Sequence, residues 1–288
     1  MSDPILVQLA APLTKFMDVV SRGIGTCYEP YGTVRQAKAD ADAILILTKA
    51  DIEKQELLYR AAVRLRHTET QRQKNIESVV EVAKQALPSS VSDDPVDQDW
   101  INHFFDGVKD VSSEDLQELW GRILAGEVTS PGRFTRRLVE FLKTIERNEA
   151  EMLTALFSVC FTDADDWNFY FETEATNASL REAIGDGDVL RHFVDIGILS
   201  GGFDMMNLSD TTGFKIQYSG HSYIMEGPPK PLDSIDAHSP LEQFISIRRL
   251  SAIGQQLALV ATAKKDPDLV SKISDELSSE FEVSIRPL

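Results

Sequence analysis

Apolar residues recur at helical intervals through the first half of this chain and turn strand-like only beyond about residue 163. Ile5, Leu6, Leu9, Leu13, Phe16, Met17 and Val20 lie three or four apart and predict an amphipathic helix over residues 3–22. GIGTCYEPYG at 23–32 reads as a turn-rich corner that ends at Pro30. From Gln36 to Leu87 there is neither proline nor glycine, and strong helix formers dominate. One long helix or two collinear ones are expected, and an unbroken helix would reach roughly 75 Å. Its first half carries Ala41, Ile44, Leu45, Leu47, Ile52, Leu58, Ala62 and Leu65. The middle, RHTETQRQKN at 66–75, has no apolar residue, and Ile76, Val79, Val80, Ala83 and Leu87 then resume the stripe. Such a polar interval suits a coiled-coil-like arm that pairs with another subunit better than a lone projecting helix.

PSSVSDDPVDQD at 88–99 is a linker by its proline, serine and aspartate content. Asp99 is positioned to cap a short helix holding Trp100, Ile101, Phe104 and Phe105. Ser112 and Asp115 resemble a capping box. It would open a helix with Leu116, Leu119, Trp120, Ile123 and Leu124 at helical spacing. After Pro131-Gly132, Phe134, Leu138, Phe141, Leu142 and Ile145 predict a second helix, and Asn148 with Glu151 opens a third. Three antiparallel helices sharing one core is the economical arrangement.

Past residue 163 come short helical stretches, a strand-like pair around Ser219-Gly220, and a strand running into a helix capped by Ser251. That order is winged-helix-like. The expected fold is therefore mainly α with a C-terminal α+β module, in three segments: an arm at 1–90, a helical core at 91–162 and an acidic winged-helix-like module at 163–288.

Charge sharpens this division. The net charge is −17, but residues 1–90 hold 12 Lys and Arg against 11 Asp and Glu. Residues 91–162 hold 7 against 14, and residues 163–288 hold 10 against 21. The C-terminal module lacks the basic supply that a phosphate backbone requires, so a packing or protein-interaction role is preferred over DNA reading. No run of apolar residues is long enough to span a bilayer, and the N-terminus lacks the charged leader of a signal peptide. Cys27 and Cys160, far apart, offer neither a disulfide framework nor a zinc motif, which fits a reducing cytoplasm.

Candidate chemistry is sparse. The acids of DADDWNFYFETE at 163–174 lack the ligand order of a calcium loop and read as a solvated loop. The five histidines, His67, His103, His192, His221 and His238, pair with no Cys or His at ligand spacing, and no nucleophile motif is present. No cofactor or metal is expected, and an enzyme with a dispersed site ranks third. Two basic groups stand out. Arg60, Arg64, Arg66, Arg72 and Lys74 lie along the long helix. They are a solvated face or a contact for an acidic subunit, with nucleic acid as the runner-up partner. Arg133, Arg136 and Arg137 flank the Pro-Gly turn and are either an anion or partner site or the closing of a helical hairpin, which is the favoured reading.

In order and spacing, GIGTCYEP, RQAKADADAI, ETQRQKNIESVV and DQDWINHFFDGVKDVSSEDLQELWGRILAGEVTSPGRFTRRL resemble the bacterial proteins grouped as domain of unknown function 2806. The resemblance covers roughly residues 20–160 and extends in outline to LSAIGQQL near the end. The chain departs from the family pattern at Thr135-Arg136-Arg137-Leu138 and at Glu149-Ala150. The resemblance implies a bacterial cytosolic protein with no assigned catalytic residue. By association with similar helix-turn segments, it also implies a setting in anti-phage defence. The functional expectation is a non-enzymatic, oligomeric interaction or sensor protein.

Overall fold

Two units make up the chain, Met1–Arg147 and Asn148–Leu288. The computed structural model describes residues 4–24, 52–185, 189–202, 204–207, 213–227 and 244–288. The expected helix over 36–51, the corner at 25–32, Cys27 and His238 lie outside the described residues, as do residues 186–188.

The first unit is helical throughout its described span. Helix α1 (Pro4–Ile24) runs through Pro12 and buries Phe16, Val19 and Val20. Helix α2 (Ile52–Gln85) has 34 residues, about 50 Å of rod. Only its C-terminal part is embedded, with Val79, Val80 and Ala83 buried. There it meets α4 (Glu114–Thr129) at Gly121, where an added Cβ would come within 2.5 Å of Val82 Cγ1. The absence of a side chain on Gly121 lets the two backbones approach.

Between them, α3 (Gln98–Val108) is opened by Asp97, whose carboxylate accepts the Trp100 N–H at 2.8 Å. The cap therefore sits two residues before the expected Asp99, because the backbone is still extended at Asp97. Trp100 stacks on Phe104 at 5.0 Å, and Phe104 meets the edge of Trp120 at 5.0 Å, so α3 and α4 share an aromatic core. The Ser112–Asp115 capping box does not form. Ser113 is the N-cap of α4 and makes no side-chain cap bond. Helix α5 (Arg136–Thr144) starts at Thr135, whose hydroxyl accepts the Leu138 N–H.

The second unit opens with α6 (Arg147–Ser158), so the third helix expected in the helical block begins the next unit. It continues through β1 (Phe161–Asp163), β2 (Asn168–Phe171), α7 (Glu174–Ile184), α8 (Val189–Asp195), β3 (Asp204–Asn207), β4 (Phe214–Tyr218), β5 (His221–Glu226), β6 (Phe244–Arg249), α9 (Ala252–Ala258), α10 (Leu269–Phe281) and β7 (Ser284–Pro287). Seven strands form one sheet in the order β3-β6-β2-β1-β4-β5-β7, with every neighbouring pair antiparallel. Phe161, Phe169, Phe171 and Tyr218 pack ring against ring at its centre.

Two turns were legible in advance. Ser219 (φ 52°) and Gly220 (φ 77°) make the two-residue turn of the β4–β5 hairpin, where both residues need the left-handed region. Ser251 caps α9 by accepting the Gly254 N–H at 3.2 Å. The acidic stretch at 163–174 is a solvated loop only at its tip, where Asp165 and Asp166 are exposed. It is the β1–β2 hairpin, and its Asp163 carboxylate is nearly buried and accepts the N–H groups of Asp165 and Trp167. Among the described residues, no helix is long and apolar enough to cross a membrane.

Candidate interaction surface

The N-terminal half of α2 stands clear of the unit whose core its other half completes. Leu58 is 51% exposed and Leu65 62%, with Leu57, Tyr59 and Val63 similarly bare. At about 100° per residue, Leu58, Ala61, Ala62 and Leu65 fall on one side of the helix, Leu57 and Arg64 share its edge, and Arg60 and His67 lie opposite. The polar interval stays at 66–75, as the sequence suggested. The apolar stripe runs 58-62-65, is interrupted at Glu69 and Arg72, and resumes at 76-79-83.

The interruption has a physical role. Arg72 donates to Asp110 and to Glu69, each at 2.9 Å. Asn75 donates to the Lys109 carbonyl at 2.9 Å, and Gln117 reaches Val111 O at 2.9 Å. The Arg72–Asp110 and Asn75–Lys109 bonds tie α2 to the α3–α4 connection, which Gln117 of α4 holds from its other side. N-terminal to that anchor, the described residues leave positions 55–67 of the helix largely exposed.

Among the predicted basic residues, Arg60 and Arg64 are one turn apart and share a face. Arg66 points elsewhere on the wheel, and Arg72 is engaged by two carboxylates. Arg60, Arg64, Arg66, Arg72 and Lys74 thus do not converge on a single face.

Arg133, Arg136 and Arg137 are all exposed, on the turn and the first residues of α5. Arg136 is paired loosely with Asp99 at 3.6 Å, and Arg133 lies over the Phe134 ring at 5.9 Å. What shapes this turn is Glu127. Its carboxylate is buried, with Oε1 accepting the Gly132 N–H at 2.6 Å and Oε2 the Phe134 N–H at 2.9 Å. Burial pushes the Glu127 carboxyl above its ordinary range, while the Gly132, Phe134 and Arg133 N–H groups pull it back. Gly132 at φ 84° presents its N–H inward. Glu127 takes the Gly132 and Phe134 amides and Thr135 the Leu138 amide, so these donors are not open to an anion at the turn. From sequence Glu127 reads as one of several acids, with Glu118, Glu140, Glu146 and Glu149, that could pair with the three arginines, although a sharper signal was present. It falls three and four residues after Leu124 and Ile123, an acid set in the apolar stripe of α4.

In the second unit the polar side chains that sequence order could not pair are mostly structural clamps. Arg248 and Glu172 form a largely buried ion pair across β6 and β2, and Arg248 stands opposite Tyr170. Burial pushes the Tyr170 hydroxyl well above its ordinary value. Lys265 Nζ donates to the Phe157 and Cys160 carbonyls at 2.7 and 2.6 Å and sits 4.8 Å from the Tyr218 ring centre, completing the end of α6. Burial lowers the Lys265 pKa and pushes the Cys160 thiol up to about 12, so that thiol stays protonated and inert. Glu276 of α10 accepts the Glu174 and Ala175 N–H groups at the start of α7. Gln255 of α9 clamps Asn168 through three bonds of 2.8 Å. Of the histidines, His103 pairs with Glu140, His192 with Glu149 at 2.9 Å, and His221 with the Ser219 carbonyl at 3.0 Å, while His67 lies exposed on α2.

A helical unit with one uncovered arm, followed by an α+β unit on an antiparallel sheet, defines a mainly helical protein with an open apolar helix face as its most distinctive surface. Residues 59–185, somewhat less than half of the chain, match the family described as protein of unknown function (DUF2806). The match begins within the bare half of α2 and ends at Gly185, the C-cap of α7. No curated protein and no solved structure matches the chain.

Proposed function

We propose that this chain is a non-enzymatic interaction protein that works as an oligomer, with the uncovered half of α2 as its association surface. One observation carries the reading: Leu57, Leu58, Val63 and Leu65 are at least half exposed on a continuous helix whose remaining half is packed. A solvated helix of this length is marginal in water by itself, and its apolar face is stabilised when covered. The order α8, hairpin β4–β5, β6, α9 supports a winged-helix-like reading of the second unit. Its excess of carboxylates suits a protein partner better than nucleic acid. The setting in the bacterial cytosol and in anti-phage defence is part of the same proposal and rests on the resemblance to other proteins. A nucleic-acid regulator has weaker support, because the five basic positions on α2 do not share a face.

The test is size-exclusion chromatography with light scattering on the full chain over a hundredfold concentration range. Association that rises with concentration is expected, and Leu58→Glu should abolish it while leaving the circular dichroism equal to that of the wild type diluted to its monomer. A chain that stays monomeric throughout overturns the reading.

A further inference from the structure

We infer that the bare half of α2 pairs antiparallel with the same segment of a second copy, about a two-fold axis passing between Ala61 and Ala62. This rests on the self-association proposed above and specifies its geometry. The stripe's apolar residues read the same in both directions: Leu58, Ala61, Ala62 and Leu65 are spaced three, one and three apart. A two-fold axis at the midpoint sets Leu58 against the partner's Leu65, and Ala61 against the partner's Ala62. Small residues at the centre let the helix axes come close, and a leucine pair closes each side. All four positions lie on the solvated part of the helix, N-terminal to the Arg72 anchor.

The packed half of α2 decides between the two possible directions. Along the same stripe, positions 76, 79 and 83 continue 58, 62 and 65, and there the face is covered by α4 and the α3–α4 connection. A parallel partner lying on the stripe would run into that cover beyond Arg72. Its own α3 and α4, on the matching face at the same end, would compete for the same volume. An antiparallel partner carries its packed half to the opposite end, where the first unit's α3 and α4 are not in the way. The paired stretch, residues 55–68, is about 21 Å long. An interface this short falls at the small end of the specific range, so the dimer should dissociate readily on dilution.

Cysteine cross-linking of the full chain with Cys27→Ser, Cys160 being buried, tests the register. Under the proposed symmetry the two Ala61→Cys positions of a dimer lie side by side and should form a disulfide on mild oxidation. Leu58→Cys alone should not cross-link, because its two copies are seven residues, about 10 Å, apart along the axis, beyond disulfide reach. Neither should Leu65→Cys alone. A mixture of the Leu58→Cys and Leu65→Cys chains should give the mixed dimer.

A dimer in which Leu58→Cys links to itself is parallel and overturns the antiparallel geometry while leaving association standing. A dimer that cross-links at none of these positions associates elsewhere and overturns the geometry in the same way. A chain that is monomeric by light scattering and forms no cross-link overturns both this inference and the association reading.

Discussion

Replacing Glu127 with alanine isolates what holds the Pro131-Gly132 turn. The wild-type carboxylate is 1% exposed and accepts two backbone N–H groups, those of Gly132 and Phe134. Hydrogen bonds to a charged group contribute about 1.5–3 kcal/mol each, and an orphaned buried donor costs about 1–3 kcal/mol. Removing the carboxylate also removes the cost of burying it, which has already raised its pKa. The balance of two lost charge-assisted bonds against one relieved desolvation is a loss of about 3 kcal/mol. For a unit of this size, about 2–4 °C per kcal/mol places the fall in the first unit's unfolding midpoint at roughly 6–12 °C. Glu127→Gln keeps one acceptor but turns an amide N–H₂ toward a backbone N–H, so it should fall between wild type and alanine. The assay is thermal unfolding by far-UV circular dichroism, combined with amide exchange at Gly132 and Phe134, whose protection should collapse first. A loss below about 0.5 kcal/mol with protection retained would refute the assignment, since surface substitutions remain within that range.

Gly107→Ala would set a Cβ 2.5 Å from Trp120 Cη2, and overpacking of this kind should cost about 1–3 kcal/mol by urea denaturation. Glu172→Gln leaves the Arg248 guanidinium, 14% exposed, without its anion. It should destabilise the second unit by about 3–5 kcal/mol, whereas replacing both partners with methionine should recover most of that loss. The Asp266 carboxyl is held below its ordinary value of 3.8, first by its hydrogen bond to Lys272 and then by the Asp268 N–H. A carboxyl with a depressed folded pKa adds stability above the unfolded value and loses it as pH falls through the lower folded one. The acid limb of stability below about pH 4 should therefore be shallower in Asp266→Asn, as read by unfolding midpoints between pH 2 and 5.

How much of this could be read from sequence depended on how local the determining interactions are. The helices of the first unit came through because apolar spacing over many residues is a local signal, as did the Ser219-Gly220 turn and the Ser251 cap. Cap positions near Asp97 and Ser113 were misplaced by one or two residues, since several adjacent Ser and Asp residues compete and only the backbone angles decide. The seven-stranded sheet was mostly hidden. Strands of three to six residues carry little periodicity, and pairings such as β2 with β6 join segments separated by more than seventy residues. At the candidate surface, the leucines on α2 could be named from sequence, but their exposure could not. The stripe looks the same whether it is packed, as at Val79, or bare, as at Leu65.

The sheet's strand order also sets a schedule for biosynthesis. The β5 edge is closed by Ser284–Pro287, so the second unit cannot finish its sheet until those residues have left the ribosome. The first unit ends at Arg147, and domains generally fold as units in order of synthesis, so it should fold while the other half is still being made. During that interval an open β5 edge is a template for pairing with another nascent chain, and a ribosome stalled shortly before Ser284 would hold the protein at its most aggregation-prone moment.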